Sequence, residues 1–382
     1  MLLRSVVGDA TPKSISEIAT LASAPIDWEQ LYRLASRHAV IPLLDQHLGR
    51  TLVGAMPANF REKLRSAAEL WAVRSLFLSA QLVSIVRDLE RANIDALPFK
   101  GPALAALVYG NLALRQYQDL DILVHRTDLE GARAALLVLG FKPAVPYSES
   151  QRSSIELTGH HELLLDEAGT TVELHWSLNH RTLTQDFFES RWWEDRQTIA
   201  IGGESVRTLG PERLILYLCM HGGKHSWARL SWVADLQRAL RAFPGVDWQL
   251  VTDLALDNGA LRMVAVGIAL TNSLFDADTA TTPAIDHLVH HRSTQEIVAQ
   301  LSSRFLRVEE HDEVQDLRVQ LQLRDRWRDR ARYTWHILAR PHPADIALLH
   351  LPRQLHGAYY LLRPIRLIFR RLLGRTNPRS AA

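Results

Sequence analysis

The chain has 382 residues, of which 47% are hydrophobic and 23% charged, proportions that are typical of a globular protein and exclude general disorder. At roughly 150 residues per domain, this length predicts two or three domains. The formal net charge of +2 selects neither nucleic acid nor a membrane as a partner of the whole chain. Residues 351–382 nevertheless contain seven Arg and no acid, so the rest of the chain is slightly acidic.

The cysteine content and the N-terminus bear on the cellular compartment. Cys219 is the single cysteine, which excludes an internal disulfide and a cysteine-cluster zinc site. It lies in the apolar run 214–220, which predicts a buried structural thiol rather than a catalytic nucleophile. The N-terminus lacks the apolar stretch of a signal peptide, and no apolar run approaches the ~20 residues that span a bilayer. These features predict a cytoplasmic protein.

Residues 1–92 predict an N-terminal helical region. Asp27 is suited to cap a helix in which Leu31 and Leu34 follow at helical spacing. Residues 62–91 contain neither Pro nor Gly and carry apolar residues at helical intervals. This pattern predicts one long amphipathic helix.

Residues 93–208 change to short alternating segments, which predict an α+β core with a small mixed sheet. Gly101-Pro102 follows the first extended segment and opens a short helix. A further helix is expected to stop at Gly140. The predicted strands cover 94–100, 118–124, 161–166 and 171–176, the last two being joined as a hairpin.

The chain after residue 208 is again helical, with a helical domain predicted over 209–345 and a basic tail over 346–382. Gly222-Gly223 are expected to interrupt the first of these helices, and the next helix is expected over 226–242. The tail is Leu-rich and basic between residues 355 and 373. Its apolar face is expected to dock on the protein body, and the alternative is a weak contact with an anionic membrane surface.

Asp119 and Asp121 are the most informative residues of the sequence. At positions i and i+2 of a strand they point to the same face, and two carboxylates so close repel each other unless a cation lies between them. Mg²⁺ typically takes one or two carboxylates together with phosphate oxygens. On these residues alone, a solvated strand edge is the alternative.

The flanking segments favour the metal interpretation. Lys100-Gly101 precede a helix start, where backbone N–H groups attract anions and glycine lets a phosphate approach closely. Glu173 and His175 share one face of the last predicted strand. If that strand is the neighbour of the strand with the aspartate pair, Glu173 supplies a third carboxylate. Three acids around two metal ions are the machinery of phosphoryl or nucleotidyl transfer.

A second cluster of charged and imidazole side chains lies in the helical part. One interpretation is a packed helix with Trp227 and Trp232 in the core and Arg229 in an ion pair with Asp235 or with another acid. Another is a phosphate- or base-binding wall that faces the α/β core through Lys224 and Arg229. A zinc site at His221 and His225 is the third, and the adjacent double glycine argues against it.

These segments resemble a known family. The runs LPFKGPALA (97–105), LRQYQDLDILV (114–124) and VELHW (172–176) are similar to motifs of the bacterial nucleotidyltransferase-like family of the polymerase-β-type superfamily. Residues 27–44 and 221–236 resemble further motifs of that family. The resemblance extends from about residue 25 to residue 240.

The resemblance implies an enzyme that moves a nucleotidyl group from a nucleoside triphosphate such as ATP to an acceptor hydroxyl or phosphate. The cofactor would be Mg²⁺, with Mn²⁺ as the alternative ion, and the acceptor a biosynthetic small molecule, a peptide or a protein. Asp119, Asp121 and Glu173 would be catalytic and hold the metal. The residues expected to bind the nucleotide are Lys100, Gly101, Arg115, His175, Lys224 and Arg229.

Two other functions stay open. A phosphotransferase could use the same acids to move a γ-phosphate. A non-catalytic nucleotide-binding or scaffold protein is the other alternative, because Pro102 offers a triphosphate neither a hydroxyl nor an N–H. No nucleic-acid partner is expected, since the chain without its tail is slightly acidic.

Overall fold

The structure is a computed structural model and describes residues 12–22, 25–51, 56–178, 189–305, 313–339 and 353–372. In these residues a five-stranded mixed sheet is flanked by helices from both ends of the chain. The predicted α+β fold class is confirmed. The domain boundaries at residues 92, 208 and 345 stay a prediction.

The N-terminal part is helical, as predicted. Its helices are α1 (Pro12–Ala22), α2 (Trp28–Arg37), α3 (Ile41–Thr51) and α4 (Ala58–Arg91). Asp27 caps α2, because its carboxylate accepts a hydrogen bond from the Gln30 backbone N–H at 2.8 Å. The cap satisfies one of the amide groups that have no partner within the helix.

Helix α4 is long and apolar enough, by length and composition alone, to cross a membrane, with a mean hydropathy of 1.3 over 18 residues. This differs from the expectation that no apolar run approaches that length. A core helix passes the same test, and 33% of the stretch is buried inside the protein. Phe60 and Leu64 enter the core of the helical part, whereas Leu82 and Leu89 enter the core beneath the sheet. Helix α4 therefore connects the two cores.

The sheet has the strand order β1-β2-β5-β4-β3. Strands β2 and β5 are parallel, and the other neighbouring pairs are antiparallel. The hairpin of β4 and β5 is confirmed, whereas the short edge strand β3 was not predicted. The strands are β1 (Ala96–Pro98), β2 (Asp119–Val124), β3 (Lys142–Pro143), β4 (His161–Leu165) and β5 (Thr171–His175).

The connections within the sheet contain short helices. Helix α5 (Gly101–Leu104) continues as a π-helical turn over Ala105–Tyr109, and 3-10 turns cover Leu112–Leu114 and Arg126–Asp128. The next helices are α6 (Leu129–Val138) and α7 (Glu149–Thr158). After the sheet, a 3-10 turn (Glu189–Trp193) leads to a separate hairpin, which was not predicted, of β6 (Gln197–Ile201) and β7 (Glu204–Thr208).

The two faces of the sheet differ because side chains alternate along each strand. Leu120 and Ile122 of β2, and Val172 and Leu174 of β5, are fully buried on one face. They pack there with apolar residues of α4 and α6. The opposite face carries the polar residues of the same strands and opens toward the helical part.

The described residues between 211 and 339 are mainly helical, in agreement with the helical region predicted from residue 209. Residues 340–352, and with them the start of the predicted tail, lie outside the described residues, as do residues 373–382. The helices are α8 (Pro211–Lys224), α9 (Leu230–Ala242), α10 (Trp248–Asp257), α11 (Leu261–Phe275), α12 (Pro283–His290), α13 (Arg292–Arg304), α14 (Glu313–Gln322), α15 (Trp327–Ala339) and α16 (Tyr359–Leu372), the last preceded by a 3-10 turn (Arg353–Ala358).

The prediction that Gly222-Gly223 interrupt the first of these helices is wrong, because α8 runs through both glycines. They serve close packing instead, since a Cβ at Gly222 would lie 2.6 Å from ring atoms of Trp227. The chain turns at Ser226 and Trp227, which have φ angles of 51° and 48°. Helix α9 consequently begins at residue 230 and not at residue 226 as predicted.

We expect Gly222→Ala to lower the free energy of unfolding by about 2 kcal/mol, because the added methyl group must displace the buried Trp227 ring. Urea denaturation measures the change. Gly49→Ala is the matched control, since Gly49 is exposed in α3 and nothing lies within 4 Å of an added Cβ. That variant should be at least as stable as the wild type. An equally stable Gly222→Ala protein would contradict the packing described.

Cys219 is fully buried in α8, as its apolar neighbours predicted, and burial raises the pKa of its thiol. A protonated, inaccessible thiol is a poor nucleophile. We therefore expect an alkylating reagent at mildly alkaline pH to leave the native protein unmodified and to modify it once in concentrated urea. Intact-mass measurement distinguishes the two states. Equally fast labelling of native and unfolded protein would contradict the prediction.

The tail helix α16 docks on α15 at its start. Tyr359 is 1% exposed, and the Arg363 side chain donates a hydrogen bond to the Ile337 carbonyl oxygen at 3.4 Å. Leu361 and Ile365 are exposed to 70% and 50%. The helix therefore contacts the protein body through Tyr359 and Arg363, whereas the expected docking of the Leu/Ile face is not seen at Leu361 and Ile365. The weak membrane contact stays a prediction.

Candidate active site

A cleft of about 850 Å³ lies between the polar face of the sheet and the helical part of the chain. Its helical walls come mainly from α2, α8 and α9, and its floor comes from β2, β4 and β5. Eight of the nine site residues predicted from the sequence line it. These eight are Lys100, Arg115, Asp119, Asp121, Glu173, His175, Lys224 and Arg229.

The pairing of β2 with β5 brings the predicted carboxylates to one face. Asp121 lies opposite Glu173 in this parallel pair, and Asp119 lies opposite Thr171. Because alternate residues of a strand share a face, Asp119, Asp121, Glu173 and His175 all point to the cleft. The two strands are neighbours, which was the condition for Glu173 to supply a third carboxylate.

Asp121 is the centre of the charged network. The carboxylate is 2% exposed, and its Oδ1 lies 2.6 Å from the Lys100 Nζ. Burial disfavours its ionised form, but the Lys100 ammonium and a hydrogen bond with His175 hold the pKa of Asp121 below its usual value. Its Oδ2 is buried and has no hydrogen-bond partner among the described residues. This oxygen is available to a cation.

Asp119 differs from Asp121 in its proton affinity. Burial and the charge of Asp121 raise the pKa of Asp119 to about 6. Both carboxylates are thus largely ionised at neutral pH, although each disfavours the charge of the other. A cation bound between them would relieve this repulsion.

His175 bridges the carboxylates of two strands. Its Nε2 lies 3.2 Å from Asp121 Oδ1 and 3.1 Å from Glu173 Oε2. Burial lowers the pKa of His175, but hydrogen bonds to these two carboxylates outweigh it and raise the pKa. Burial acts against ionisation of Glu173 as well, and the contact with His175 lowers the pKa of Glu173 nevertheless. The imidazole therefore links the two acids through its Nε2 atom.

His161 was not predicted as a site residue. It is the first residue of β4 and pairs with His175 in the antiparallel register. Ligand atoms of His161, Glu173 and His175 lie within 4.8 Å of one another. Among the described residues, no other set of three potential metal ligands lies this close together. Burial lowers the pKa of His161 to about 4, so the ring is neutral at pH 7.

The predicted ion pair between Arg229 and Asp235 is wrong. Asp235 pairs with Arg115, whose Nε and Nη2 lie 2.9 Å and 3.0 Å from the two carboxylate oxygens. The Tyr109 hydroxyl donates a third hydrogen bond at 2.7 Å. Arg229 is the N-cap of α9, and Asp235 follows it by six residues, which is not the i, i+3 or i, i+4 spacing of a helical ion pair. Asp235 instead binds the segment before β2 to α9.

Lys224 and Arg229 form the cationic side of the cleft, facing the sheet. The Lys224 Nζ lies 3.4 Å from His160 Nε2, and the Arg229 guanidinium lies 5.7 Å from the centre of the Trp232 ring. No acidic partner of either side chain occurs in the ranges that the structure describes. Their charges are therefore available to an anionic ligand.

His221 and His225 pack beside this cationic side and do not resemble a zinc site. Their ring centroids lie 4.8 Å apart, and both rings contact Trp232. Burial and the charge of Lys100 lower the pKa of His221, and burial and Lys224 lower the pKa of His225 to about 3. Among the described residues, no carboxylate joins the pair in a metal-binding group.

Gly101 is the one predicted site residue that does not line the cleft. Its φ angle is +52°, and a Cβ here would lie 3.2 Å from the Asp119 carbonyl oxygen. Only glycine adopts this conformation without strain. Gly101 thus lets the chain turn close to β2, which places Lys100 next to Asp121, and a direct contact with nucleotide stays a prediction.

Tyr217 is a second cleft residue that was not predicted. It is buried on α8, one helical turn before His221, and interacts with Lys100 through its hydroxyl. Its position in the apolar run 214–220 favoured a core role. The i, i+4 spacing to His221 was the available signal, because it puts both rings on one helix face.

Comparison with known proteins agrees with the resemblance noted in the sequence. A family model described as uncharacterised nucleotidyltransferase matches residues 24–276, and no curated protein matches the chain. A solved structure, an antigenic nucleotidyltransferase-like protein from Paracoccidioides brasiliensis, is similar at 17% identity, over 44% of this chain and 75% of that chain, with a TM-score of 0.29. A likeness this distant carries no argument about function. Since the family model matches well over half of the sequence, the chain belongs to the family of uncharacterised nucleotidyltransferases.

Proposed function

We propose that the protein transfers a nucleotidyl group from a nucleoside triphosphate to an acceptor hydroxyl or phosphate, with the reaction taking place in the cleft. The main support for this proposal is the register of β2 and β5, which puts Asp121 beside Glu173, with Asp119 on the same face. Family membership supports nucleotidyl transfer in general. The acceptor, as predicted, would be a biosynthetic small molecule, a peptide or a protein in the cytoplasm.

The donor atoms of the cleft fit a divalent cation. Asp121 presents a buried carboxylate oxygen with no hydrogen-bond partner in the described residues, and Asp119 adds a second carboxylate next to it. Carboxylate oxygens are the ligands that Mg²⁺ and Mn²⁺ prefer. Asp119, Asp121 and Glu173 would hold the ion, which would supply positive charge at the phosphates. Their oxygens do not form a group within 4.8 Å of one another in the structure, so a side chain would have to move when the ion binds.

The cations of the cleft have separable roles. Lys224 and Arg229 would bind the triphosphate, because neither is neutralised by an acid within the described chain. Lys100 keeps Asp121 ionised and in position through the 2.6 Å contact. The charge of Arg115 is already balanced by Asp235, so Arg115 would orient the nucleotide with little net positive charge.

In the reaction, an acceptor oxygen bonds to the α-phosphorus, the bond to the β-phosphate oxygen breaks, and pyrophosphate leaves. A hydroxyl acceptor must also lose its proton. Glu173 is the proton acceptor implied by the family resemblance.

Parallel incubations with α-labelled and γ-labelled ATP test the proposal. Purified protein is mixed with Mg²⁺ or Mn²⁺ and with small-molecule and protein extracts as acceptor pools. Transfer of the α-label alone supports nucleotidyl transfer. Transfer of the γ-label alone would identify a phosphotransferase, and ATP binding without transfer of either label would identify a non-catalytic nucleotide-binding protein.

A further inference from the structure

Two imidazoles and a carboxylate converge at the β4–β5 side of the cleft. His161 and His175 lie directly opposite each other on the two antiparallel strands, with ring centroids 5.0 Å apart. Glu173 precedes His175 by two residues and shares its face. One ligand atom from each of the three residues lies within 4.8 Å of the others, so small side-chain movements would bring all three to the ~2.0–2.2 Å bond lengths of one ion.

Both imidazoles have an unpartnered nitrogen. Nδ1 of His161 and Nδ1 of His175 are buried and form no hydrogen bond within the described residues, and His175 is only 5% exposed. Buried polar atoms in proteins nearly always have a partner. Two unsatisfied ring nitrogens beside one carboxylate therefore indicate that a ligand is to be bound here.

The donor set selects the class of ion. Imidazole nitrogen suits zinc, iron, nickel and copper, whereas Mg²⁺ prefers oxygen donors alone. Three protein ligands of this kind leave a coordination position open, as in catalytic metal sites. This ligand set differs from the carboxylate site of Asp119 and Asp121. Glu173 is the one residue that belongs to both.

We propose that His161, Glu173 and His175 bind a divalent transition-metal ion, and bind it in preference to Mg²⁺. The proposal rests on the proposed function only through Glu173, which belongs to both ligand sets. The protein would thus hold two chemically different cation positions in one cleft, one of carboxylate oxygens and one with imidazole. Binding of the ion does not require nucleotide.

Titration of the metal-stripped full-length protein with Co²⁺, followed by the visible absorption of the bound ion, tests the proposal. We expect binding that equimolar Zn²⁺ displaces and equimolar Mg²⁺ does not. His161→Ala should weaken Co²⁺ binding at least about tenfold, since loss of even an indirect partner of a metal ligand costs that much. His287→Ala, which changes an exposed histidine of α12 that does not line the cleft, is the matched control and should bind Co²⁺ as the wild type does.

X-ray absorption of bound Co²⁺ gives a second readout that needs no variant. Imidazole nitrogen in the coordination shell of the wild type supports the proposal, even if His161→Ala fails to fold. Co²⁺ bound by oxygen alone, or no Co²⁺ binding, would overturn it, and the first of these results would leave an oxygen-only site for the proposed reaction intact. Imidazole-bound Co²⁺ in a protein that transfers no nucleotide would instead refute the proposed function and support the metal site.

Discussion

Replacement of Asp121 by asparagine is expected to reduce nucleotidyl transfer at least about 10²-fold, a loss typical for removal of one electrostatic group at the reacting centre. Asparagine keeps the shape of the side chain but removes the negative charge from the middle of the network. The cleft then loses the carboxylate that is best placed to hold a cation beside the phosphates. The Lys100 ammonium is still compensated by the nearby charges of Asp119 and Glu173, so the fold should persist.

The measurement is the initial rate of α-label transfer at saturating ATP, with circular dichroism as the check on folding. Asp88→Asn is the matched control, because the Asp88 carboxylate pairs with Arg91 at i, i+3 on α4, 2.9 Å away, and does not line the cleft. Its rate should equal that of the wild type. Normal transfer by a folded Asp121→Asn protein would remove Asp121 from the catalytic residues.

Replacement of Asp235 by alanine is expected to lower the free energy of unfolding by about 3–5 kcal/mol, the usual result when one partner of a buried ion pair is removed. The side chains of Asp235 and Arg115 are 1% and 10% exposed. Without the carboxylate, the guanidinium and the Tyr109 hydroxyl both lose their hydrogen bonds in a water-poor environment. The cost arises mainly from the uncompensated charge of Arg115.

Urea denaturation measures this loss, and two further variants identify its cause. Glu29→Ala removes an exposed pair with Lys63, in which the side chains are 63% and 43% exposed, and should cost less than about 1 kcal/mol. Arg115→Met combined with Asp235→Leu should recover most of the stability, because neither charge then stays buried alone. A double variant as unstable as Asp235→Ala would show that the loss has another origin.

Local sequence patterns predicted much of the fold and a coherent part of the site. Alternation along residues 118–124 indicated the strand and the shared face of Asp119 and Asp121. The turn before residue 171 indicated the β4–β5 hairpin. In each case the information lies within a few neighbouring residues, where the period of the backbone decides which side chains share a face.

The misinterpretations arose where the contact was distant in sequence. Gly222 has the residue type that often ends a helix, yet it is retained within α8 because the Trp227 ring packs against it. Arg115 and Asp235 are 120 residues apart, and no local pattern links them. Arg229 and Asp235 are near in sequence, but α9 begins at residue 230, so that Arg229 precedes the helix and Asp235 lies within it.

By itself, the sequence determined the α+β class, the predicted nucleotidyltransferase motifs and the pair of aspartates on one strand face. Only the tertiary structure decided that Glu173 lies beside Asp121, that His161 joins Glu173 and His175, and that Lys224 and Arg229 face them across the cleft. The reason is physical. Periodicity determines the face of a residue within its own element, whereas strand register and helix packing depend on nonlocal contacts, and those contacts determine which faces meet.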